Sequence, residues 1–212
     1  MGRDWIEWHR RYDDPNSPLS QRLTAVAGMI GGALDAAPPG PIHVLSLCAG
    51  DGRDILLGAG GHARAADLVG RLIELDPDLA ETAASNIAGL SSGLRVLCAD
   101  AAETARYVDA LPVDLLLLCG IFGNVSDDDI ERTIAAVPAM CNAGATVIWT
   151  RHRRPPDITP TIREWFDDAG CHSLGVVPRG EGGFAVGGER VGRTTAPGPL
   201  AERLFTFRDD LW

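Results

Sequence analysis

The chain has 212 residues, 45% of them apolar and 23% charged, and a formal net charge of −10. This length suffices for one domain with a full core, and no stretch approaches the roughly 18 consecutive apolar residues of a membrane span. The N-terminal sequence mixes charged and aromatic residues without an apolar signal core, so we expect a cytoplasmic protein that does not engage a membrane. The negative charge argues against a nucleic-acid partner, although basic clusters at 9–11 and 151–154 leave RNA as an alternative.

The types of basic and sulfur-containing residues exclude further classes of protein. Lysine is absent, which excludes a Schiff-base enzyme and a Walker A phosphate loop, because both need a lysine amine. Five cysteines are widely spaced without a C-x-x-C pair. We therefore predict reduced, buried thiols rather than disulfides, and no metal site.

The first half of the chain alternates helical and strand patterns. Apolar residues recur at helical spacing over 19–37, and prolines end that helix. A β-rich run at 42–48 is followed by a helix from about residue 53 to 58–61. The next strand is expected at 68–75, and Asp76 with Pro77 predicts the start of a helix that continues to about residue 90.

The second half continues the alternation and then changes. Strands are expected at 94–99, 113–119 and 145–151, with helices at 102–110, 127–141 and 159–170. The helix at 127–141 is predicted from a capping box formed by Ser126 and Asp129. The segments 173–178, 184–191 and 203–208 resemble strands with no helices between them.

This order predicts an α/β fold, Rossmann-like and doubly wound, because successive β-α units build parallel sheets with helices on both faces. We expect a mostly parallel seven-stranded sheet with an antiparallel edge hairpin at the C-terminus. One domain is predicted over 1–212. It comprises an N-terminal helical segment with a lid (1–40), a cofactor-binding core (42–151), and a C-terminal helix with edge strands (152–212).

Three strand ends carry the residues that indicate a ligand. The stretch V-L-S-L-C-A-G-D-G-R-D, residues 44–54, is a strand running into a turn with glycines at 50 and 52. In such sheets ligands bind beyond the carboxyl ends of the strands. There, an acid in E-L-D-P (74–77) is placed to accept ribose hydroxyls, and Asp100 to accept from an adenine amino group. The alternative is that Asp76 and Asp100 only cap the helices that follow them.

The turn itself favours one adenosine-containing cofactor over another. Ile55 stands where a dinucleotide fingerprint has glycine or alanine. Asp51 and Asp54 would repel a pyrophosphate but would attract a cation. These residues favour S-adenosylmethionine, which carries a sulfonium and an amino group, over NAD.

These motifs resemble those of the class I S-adenosylmethionine-dependent methyltransferases. V-L-S-L-C-A-G-D-G resembles the first motif of that family, with Cys48 in place of the first glycine and Ser46 in place of the acid. I-E-L-D-P resembles the second motif, with Glu74 at the position of the ribose acid, and A-D-A at 99–101 resembles the adenine-contacting motif. C-G-I-F-G-N-V, residues 119–125, lies where the family places residues near the methionine and the methyl acceptor.

The resemblance implies S-adenosylmethionine as the cofactor and a set of residues that bind it. These residues are Cys48, Ala49, Gly50, Gly52, Asp54, Glu74, Leu75, Asp76, Asp100, Ala101, Cys119, Gly120 and Phe122.

Methyl transfer is an in-line displacement that needs a general base only when the acceptor has a proton to lose. Candidates for the base are His152, His9 and Tyr12, and a surface or structural role is the alternative for each histidine. Asn124 is a candidate for positioning a polar acceptor, or for capping the turn before Ser126.

The spacing of Trp5, Trp8 and Tyr12 predicts an aromatic stripe on a helix, either packed on the domain or forming a roof over a flat acceptor. The leading hypothesis is a methyltransferase that acts on a small molecule. The alternatives are an RNA methyltransferase and a non-catalytic regulator that binds S-adenosylmethionine.

Overall fold

The computed structural model describes residues 12, 14, 16–178, 183–192 and 199–208. Five α-helices lie in these ranges: α1 (Pro18–Ala36), α2 (Arg53–Ala59), α3 (Pro77–Ile87), α4 (Asp127–Met140) and α5 (Thr159–Asp168). The strands of the same ranges are β1 (Ile42–Leu47), β2 (Leu68–Glu74), β3 (Gly93–Cys98), β4 (Val113–Leu118), β5 (Cys141–His152), β6 (Cys171–Pro178) and β7 (Phe184–Val191).

All seven strands form one sheet in the order β3-β2-β1-β4-β5-β7-β6. Strands β1 to β5 are parallel to one another, whereas β7 pairs antiparallel with both β5 and β6. This arrangement confirms the predicted sheet and its antiparallel C-terminal hairpin. The hairpin is expected here because β6 and β7 follow each other without a crossover helix.

The helices cover both faces of the sheet. On one face, Ile30 of α1, Ile55 of α2 and Ile87 of α3 belong to a single apolar cluster. On the other face, Ile134 of α4 and Phe166 of α5 pack in a second cluster with the opposite side of the strands. Strands buried on both faces require nearly continuous apolar sequence, which is the pattern of β4.

The direction in which successive strands are added to the sheet reverses between the parallel neighbours β1 and β4. From β1 the chain moves outward to β2 and β3, and from β4 it moves outward the other way to β5. The loops after β1 and β4 therefore diverge and open a crevice at the carboxyl ends of the strands, where ligands bind in folds of this kind.

Helices α3 and α4 begin at the predicted caps. Asp76 accepts hydrogen bonds from the N–H groups of Asp78 and Leu79 at 3.0 and 3.1 Å. Ser126 accepts one from the N–H of Asp129 at 3.2 Å. Each bond pairs a backbone donor that has no partner within its own helix.

The predictions for 102–110 and 203–208 were wrong, and both errors have one cause. Instead of an α-helix, 102–110 contains two short 3-10 turns, Thr104–Arg106 and Val108–Ala110. The N–H of Thr104 donates to the carbonyl of Glu202 at 3.1 Å, and the N–H of Leu204 donates to the carbonyl of Ala102 at 3.0 Å. The two segments thus pair with each other outside the sheet, which leaves one isolated bridge between Glu103 and Arg203.

Two smaller expectations also need correction. The Thr159-Pro160 sequence predicts Thr159 as the cap of the helix at 159–170, but Thr159 is the first residue of α5, and its N–H donates to the carboxylate of Asp157 at 3.0 Å. All five cysteines are free thiols, as predicted, but Cys98 is exposed on the edge strand β3, whereas Cys141 and Cys171 are buried.

Helix α1 is part of the core, because Ile30 and Leu34 are completely buried. Most of the residues predicted to form a lid, including Trp5 and Trp8, lie outside the described residues. Within the described ranges, none of the helices has the length and apolar character to cross a bilayer.

Candidate active site

The loop that follows β1 has an unusual backbone. Cys48, Gly50 and Gly52 have φ angles of 56°, 58° and 70°, in the left-handed region. This conformation costs a residue other than glycine roughly 1–2 kcal/mol, which explains why the resembling family has glycine where this chain has Cys48. A side chain at Gly52 would also crowd Ala83 and Leu72, each 3.3 Å from the Cβ position.

Glu74 ties the loop after β1 to the loop after β2. Its carboxylate is 8% exposed, and it accepts hydrogen bonds from the N–H of Gly50 at 2.7 Å and from the N–H of Asp76 at 2.9 Å. Because each carboxylate oxygen has two lone pairs, the group can still accept from a ligand hydroxyl. Glu74 is therefore fixed in position at the end of β2 and retains capacity for a further donor.

Asp76 and Asp100 have structural partners as well. Asp76 caps α3, as the sequence indicated. Asp100 accepts from the N–H of Ala102 at 2.9 Å, and its other oxygen forms an ion pair with Arg203 at 2.6 Å. Asp100 thus anchors the C-terminal segment instead of capping a helix.

Two further acids lie in the loop after β1. Asp51 is buried and forms an ion pair with the guanidinium of Arg53, whose Nε lies 2.7 Å from Oδ2. Asp54 accepts from the N–H of Ile55 at 2.7 Å. Burial, with the nearby charge of Asp51, raises the pKa of Asp54 to about 6. A cationic ligand beside Asp54 would favour its ionised form.

The loop after β4 is held by short polar contacts. Gly120 has a φ of 81°, and its N–H donates to the hydroxyl of Thr150 on β5 at 2.9 Å. The side-chain amide of Asn124, which is 7% exposed, donates to the carbonyl of Gly120. Asn124 therefore shapes this loop and uses one of its two amide N–H donors in that contact.

Phe122 is a correction to the predicted cofactor residues. Its ring is completely buried beside Trp149 and Phe166, with ring centroids 6.1 and 6.5 Å away. The loop turns this side chain into the core, and only its carbonyl serves the site by accepting from Arg151. The sequence alone did not show that Phe122 is the residue of this loop whose side chain points into the core.

The end of β5 contributes Arg151 and His152. Arg151 is 9% exposed, and burial lowers its pKa. Burial, followed by the charges of Arg151 and Arg154, lowers the pKa of His152. Its Nδ1 lies 3.4 Å from the N–H of Arg154, which places the acceptor nitrogen there and the proton of the neutral ring on Nε2.

Tyr12 lies between two arginines at the start of the described chain. Its hydroxyl contacts the guanidinium of Arg22, and the guanidinium of Arg53 lies 4.7 Å from its ring centroid. Burial raises the pKa of Tyr12, partly offset by Arg22. The third candidate base, His9, lies outside the described residues.

These groups surround a cavity of about 1030 Å³. Ligand pockets have volumes of about 300–1,000 Å³, so this cavity has room for a cofactor and a second molecule. Of the candidate catalytic residues, Tyr12, Asn124 and His152 line it. All but two of the predicted cofactor residues line it: Cys48, Ala49, Gly50, Asp54, Glu74, Leu75, Asp76, Asp100, Ala101, Cys119 and Gly120.

The sequence did not predict the arginines of the cavity wall outside the 151–154 cluster. These are Arg22, Arg53, Arg203 and Arg208. One signal was available for Arg22, because it falls on the apolar face of α1 together with Leu19 and Val26 and is 7% exposed. A charged residue in a buried stripe indicates a paired or functional group. Arg203 and Arg208 reach the cavity only through tertiary contacts.

Comparison with known proteins gives a fold but no sequence relative. No protein-family model matches the chain, and a comparison with curated proteins finds no match. Among solved structures, an O-methyltransferase family protein from Burkholderia thailandensis has a TM-score of 0.59 at 15% identity, over 86% of this chain and 62% of that one. An RNA methyltransferase from Salinibacter ruber, in complex with S-adenosyl-L-homocysteine, has a TM-score of 0.51 at 17% identity, over 84% and 97%.

A third structure, the CurJ carbon methyltransferase, has a TM-score of 0.62 at 14% identity, over 90% of this chain and 59% of that one. The fold is that of the class I methyltransferases. This chain spans 62% of the length of the Burkholderia protein, so its class I fold corresponds to part of that protein. The names of the three neighbours refer to methylation of oxygen, of RNA and of carbon. The class I fold alone therefore does not identify the methyl acceptor of this chain.

Proposed function

We propose that this chain is an S-adenosylmethionine-dependent methyltransferase whose acceptor is a small molecule. The observation that carries the proposal is the set of carboxylates, Asp54, Glu74 and Asp100, around the glycine-containing turn after β1. These carboxylates offer hydrogen-bond acceptors to an adenosine and a negative charge to the positively charged end of the cofactor. Structural similarity to proteins named as methyltransferases supports it.

Each of these acids has a role toward the cofactor. Glu74, held by two backbone N–H groups, would accept from the ribose hydroxyls, and Leu75 with Asp100 would contact the adenine. Asp54 would pair with the positively charged end. The absence of a side chain at Gly50 allows the backbone of the turn to approach the ligand closely.

The cofactor supplies a methyl group on a sulfonium, and the chain supplies binding and alignment. The side chain of Asn124 donates to the carbonyl of Gly120 and so keeps the loop after β4 in place beside the cavity. Since Nδ1 of His152 is already an acceptor, the other ring nitrogen is a donor in the neutral ring. His152 is therefore better suited to hold an acceptor than to remove its proton.

The shape of the site supports a small acceptor over RNA. In the basic cluster 151–154, three residues line the cavity, whereas Arg153 pairs with Asp157 at 2.9 Å and is not part of the lining. The cluster thus folds into a concave site and does not form the extended basic stripe that binds a nucleic-acid backbone. The second basic cluster, 9–11, lies outside the described residues.

Replacing Glu74 by Gln tests the cofactor site. The amide keeps the shape but presents a donor where the carboxylate accepts, so we expect the affinity for S-adenosylhomocysteine to fall by about 1–3 kcal/mol, measured by calorimetry. Asp78→Asn is the matched control, because Asp78 is the exposed neighbour at the start of α3 and does not line the cavity. Equal affinities of Glu74→Gln and the wild-type protein would refute this role of Glu74.

A transfer experiment separates the three hypotheses about the acceptor. The protein is incubated with methyl-labelled S-adenosylmethionine and with separated small-molecule and RNA fractions of a cell extract. We expect label to enter the small-molecule fraction. Label in RNA would favour the RNA methyltransferase, and tight cofactor binding without transfer to either fraction would favour the non-catalytic regulator.

A further inference from the structure

The cavity wall contains two groups of basic residues. Arg53 and Arg203 are paired with Asp51 and Asp100, beside the acids that follow β1 and β3. Arg151 and His152, the last residues of β5, and Arg154 just beyond them form a basic part of the wall. We infer that the acceptor carries an anionic group, a carboxylate or a phosphate, which binds these three residues while another atom of the molecule receives the methyl group. This inference rests on the proposed function, which supplies the methyl donor.

Arg151 is the central residue of this subsite. It is 9% exposed, one of its terminal nitrogens donates to the carbonyl of Phe122, and the other lies 4.0 Å from the largely exposed carboxylate of Asp127. Its Nε–H is buried and has no acceptor among the described residues. A buried guanidinium with an unused donor, paired only with an exposed carboxylate 4.0 Å away, is costly, and an anionic ligand beside it would offset part of that cost.

Arg154 and His152 provide the remaining donors. Arg154 is exposed at the rim of the cavity and makes no ion pair within the described parts of the chain. His152 is half-buried beside it, and its neutral ring presents an Nε2 donor. Guanidinium groups recognise carboxylate and phosphate oxygens through paired, charge-assisted hydrogen bonds, so these three side chains suit one such group.

The carboxylates near this subsite leave Arg151 only weakly paired. Asp157 pairs with Arg153 and accepts from Thr159. Asp127, on the exposed first turn of α4, comes no closer to Arg151 than 4.0 Å. Asp54 and Glu74 belong to the other part of the cavity, where the cation of the cofactor is expected. An anionic acceptor would therefore be attracted to one part of the cavity and repelled from the other, which orients it.

Calorimetry with simple anions tests the inference directly. Sodium benzoate and inorganic phosphate are titrated separately into the protein saturated with S-adenosylhomocysteine. We expect at least one of them to bind with a dissociation constant of a few millimolar. A preference for benzoate indicates a carboxylate on the acceptor, and a preference for phosphate indicates a phosphoester.

Two neighbouring arginines provide the variant and its control. Arg154→Gln removes an exposed side chain of the subsite and should weaken binding of the preferred anion by about fivefold or more. Arg153→Gln makes the same change of charge one residue away, outside the lining, and should change binding by less than about twofold. Equal effects of the two substitutions would mean that only the net charge matters and would overturn the inference.

The remaining outcomes are also decisive. No saturable binding of either anion up to about 50 mM, while S-adenosylhomocysteine binds, would overturn the inference and leave the proposed function intact. Failure of S-adenosylhomocysteine to bind would instead refute the proposed function, and the anions would then be titrated into the ligand-free protein. Preferential binding of a 20-nucleotide RNA with a steep salt dependence would show that the arginines serve nucleic acid.

Discussion

The proposed role of Asp54 predicts that cofactor binding depends on pH. Its pKa is raised to about 6 in the ligand-free protein, chiefly by burial. If the positively charged end of S-adenosylmethionine lies beside this carboxylate, binding requires the ionised form. Lowering the pH through 6 should therefore weaken binding, because protonation of Asp54 must then be reversed before the ion pair can form.

The size of the effect follows from the pKa. At pH 5 only roughly one Asp54 in eleven is ionised, so the affinity for S-adenosylmethionine should be about tenfold lower than at pH 7.5. Calorimetry at the two pH values measures this ratio, and Asp54→Asn should bind more weakly at both values without the tenfold change. His152→Asn is the control, because His152 is another titratable side chain of the cavity, its pKa lowered chiefly by burial, and this variant should retain the pH dependence.

Two results would refute this reasoning. One is an affinity that stays constant between pH 7.5 and 5. The other is an unchanged pH dependence in Asp54→Asn. A parallel titration with S-adenosylhomocysteine, which lacks the sulfonium, identifies the partner: a similar loss for both ligands indicates the amino group, and a loss for S-adenosylmethionine alone indicates the sulfonium.

The remaining predictions concern stability and are measured as free energies of unfolding in urea. Because the pKa of Asp54 is about 6 in the folded protein against 3.8 as an ordinary value, the folded state binds the proton more tightly and loses stability as the pH rises from 3.8 through 6. Asp54→Asn should therefore be more stable than the wild type by about 1–3 kcal/mol at pH 8 and equally stable at pH 3.5; a lower stability at pH 8 would contradict the burial argument. Ser126→Ala removes the cap of α4 and should cost about 1 kcal/mol, and no loss would mean that the bond to Asp129 contributes nothing. Gly187→Ala places a Cβ 2.1 Å from the ring of Trp149 and should cost about 2–3 kcal/mol, whereas Gly188→Ala, with its nearest contact at 3.4 Å, should cost much less.

The order of strands and helices was readable from the sequence where local signals agreed with the tertiary structure. The Asp76-Pro77 start of α3 and the apolar run of β4 needed no information from elsewhere in the chain. The segment 102–110 failed because its backbone pairs with 202–204, about a hundred residues away. Propensity cannot anticipate such a contact, and it decides the local conformation here.

The candidate site also combines features that the sequence predicted with features that it did not. The acids at the ends of β1, β2 and β3 could be predicted, because parallel strands bring their carboxyl ends to one edge of the sheet. Cys48 was predicted to lie at the cofactor turn, but the sequence did not show that its backbone adopts a φ of 56° there. The direction of the Phe122 side chain and the approach of Arg203 depend on how two loops pack, and the sequence contains no periodic signal for either.

We propose that the turn after β1 holds a cationic adenosyl cofactor and not a dinucleotide. Calorimetry of the unmodified protein with S-adenosylhomocysteine and with NADH at pH 7.5 distinguishes the two. We expect saturable binding of S-adenosylhomocysteine and none of NADH, because the ionised carboxylate of Asp54 would repel a pyrophosphate at this turn. Tight binding of NADH without binding of S-adenosylhomocysteine would contradict it.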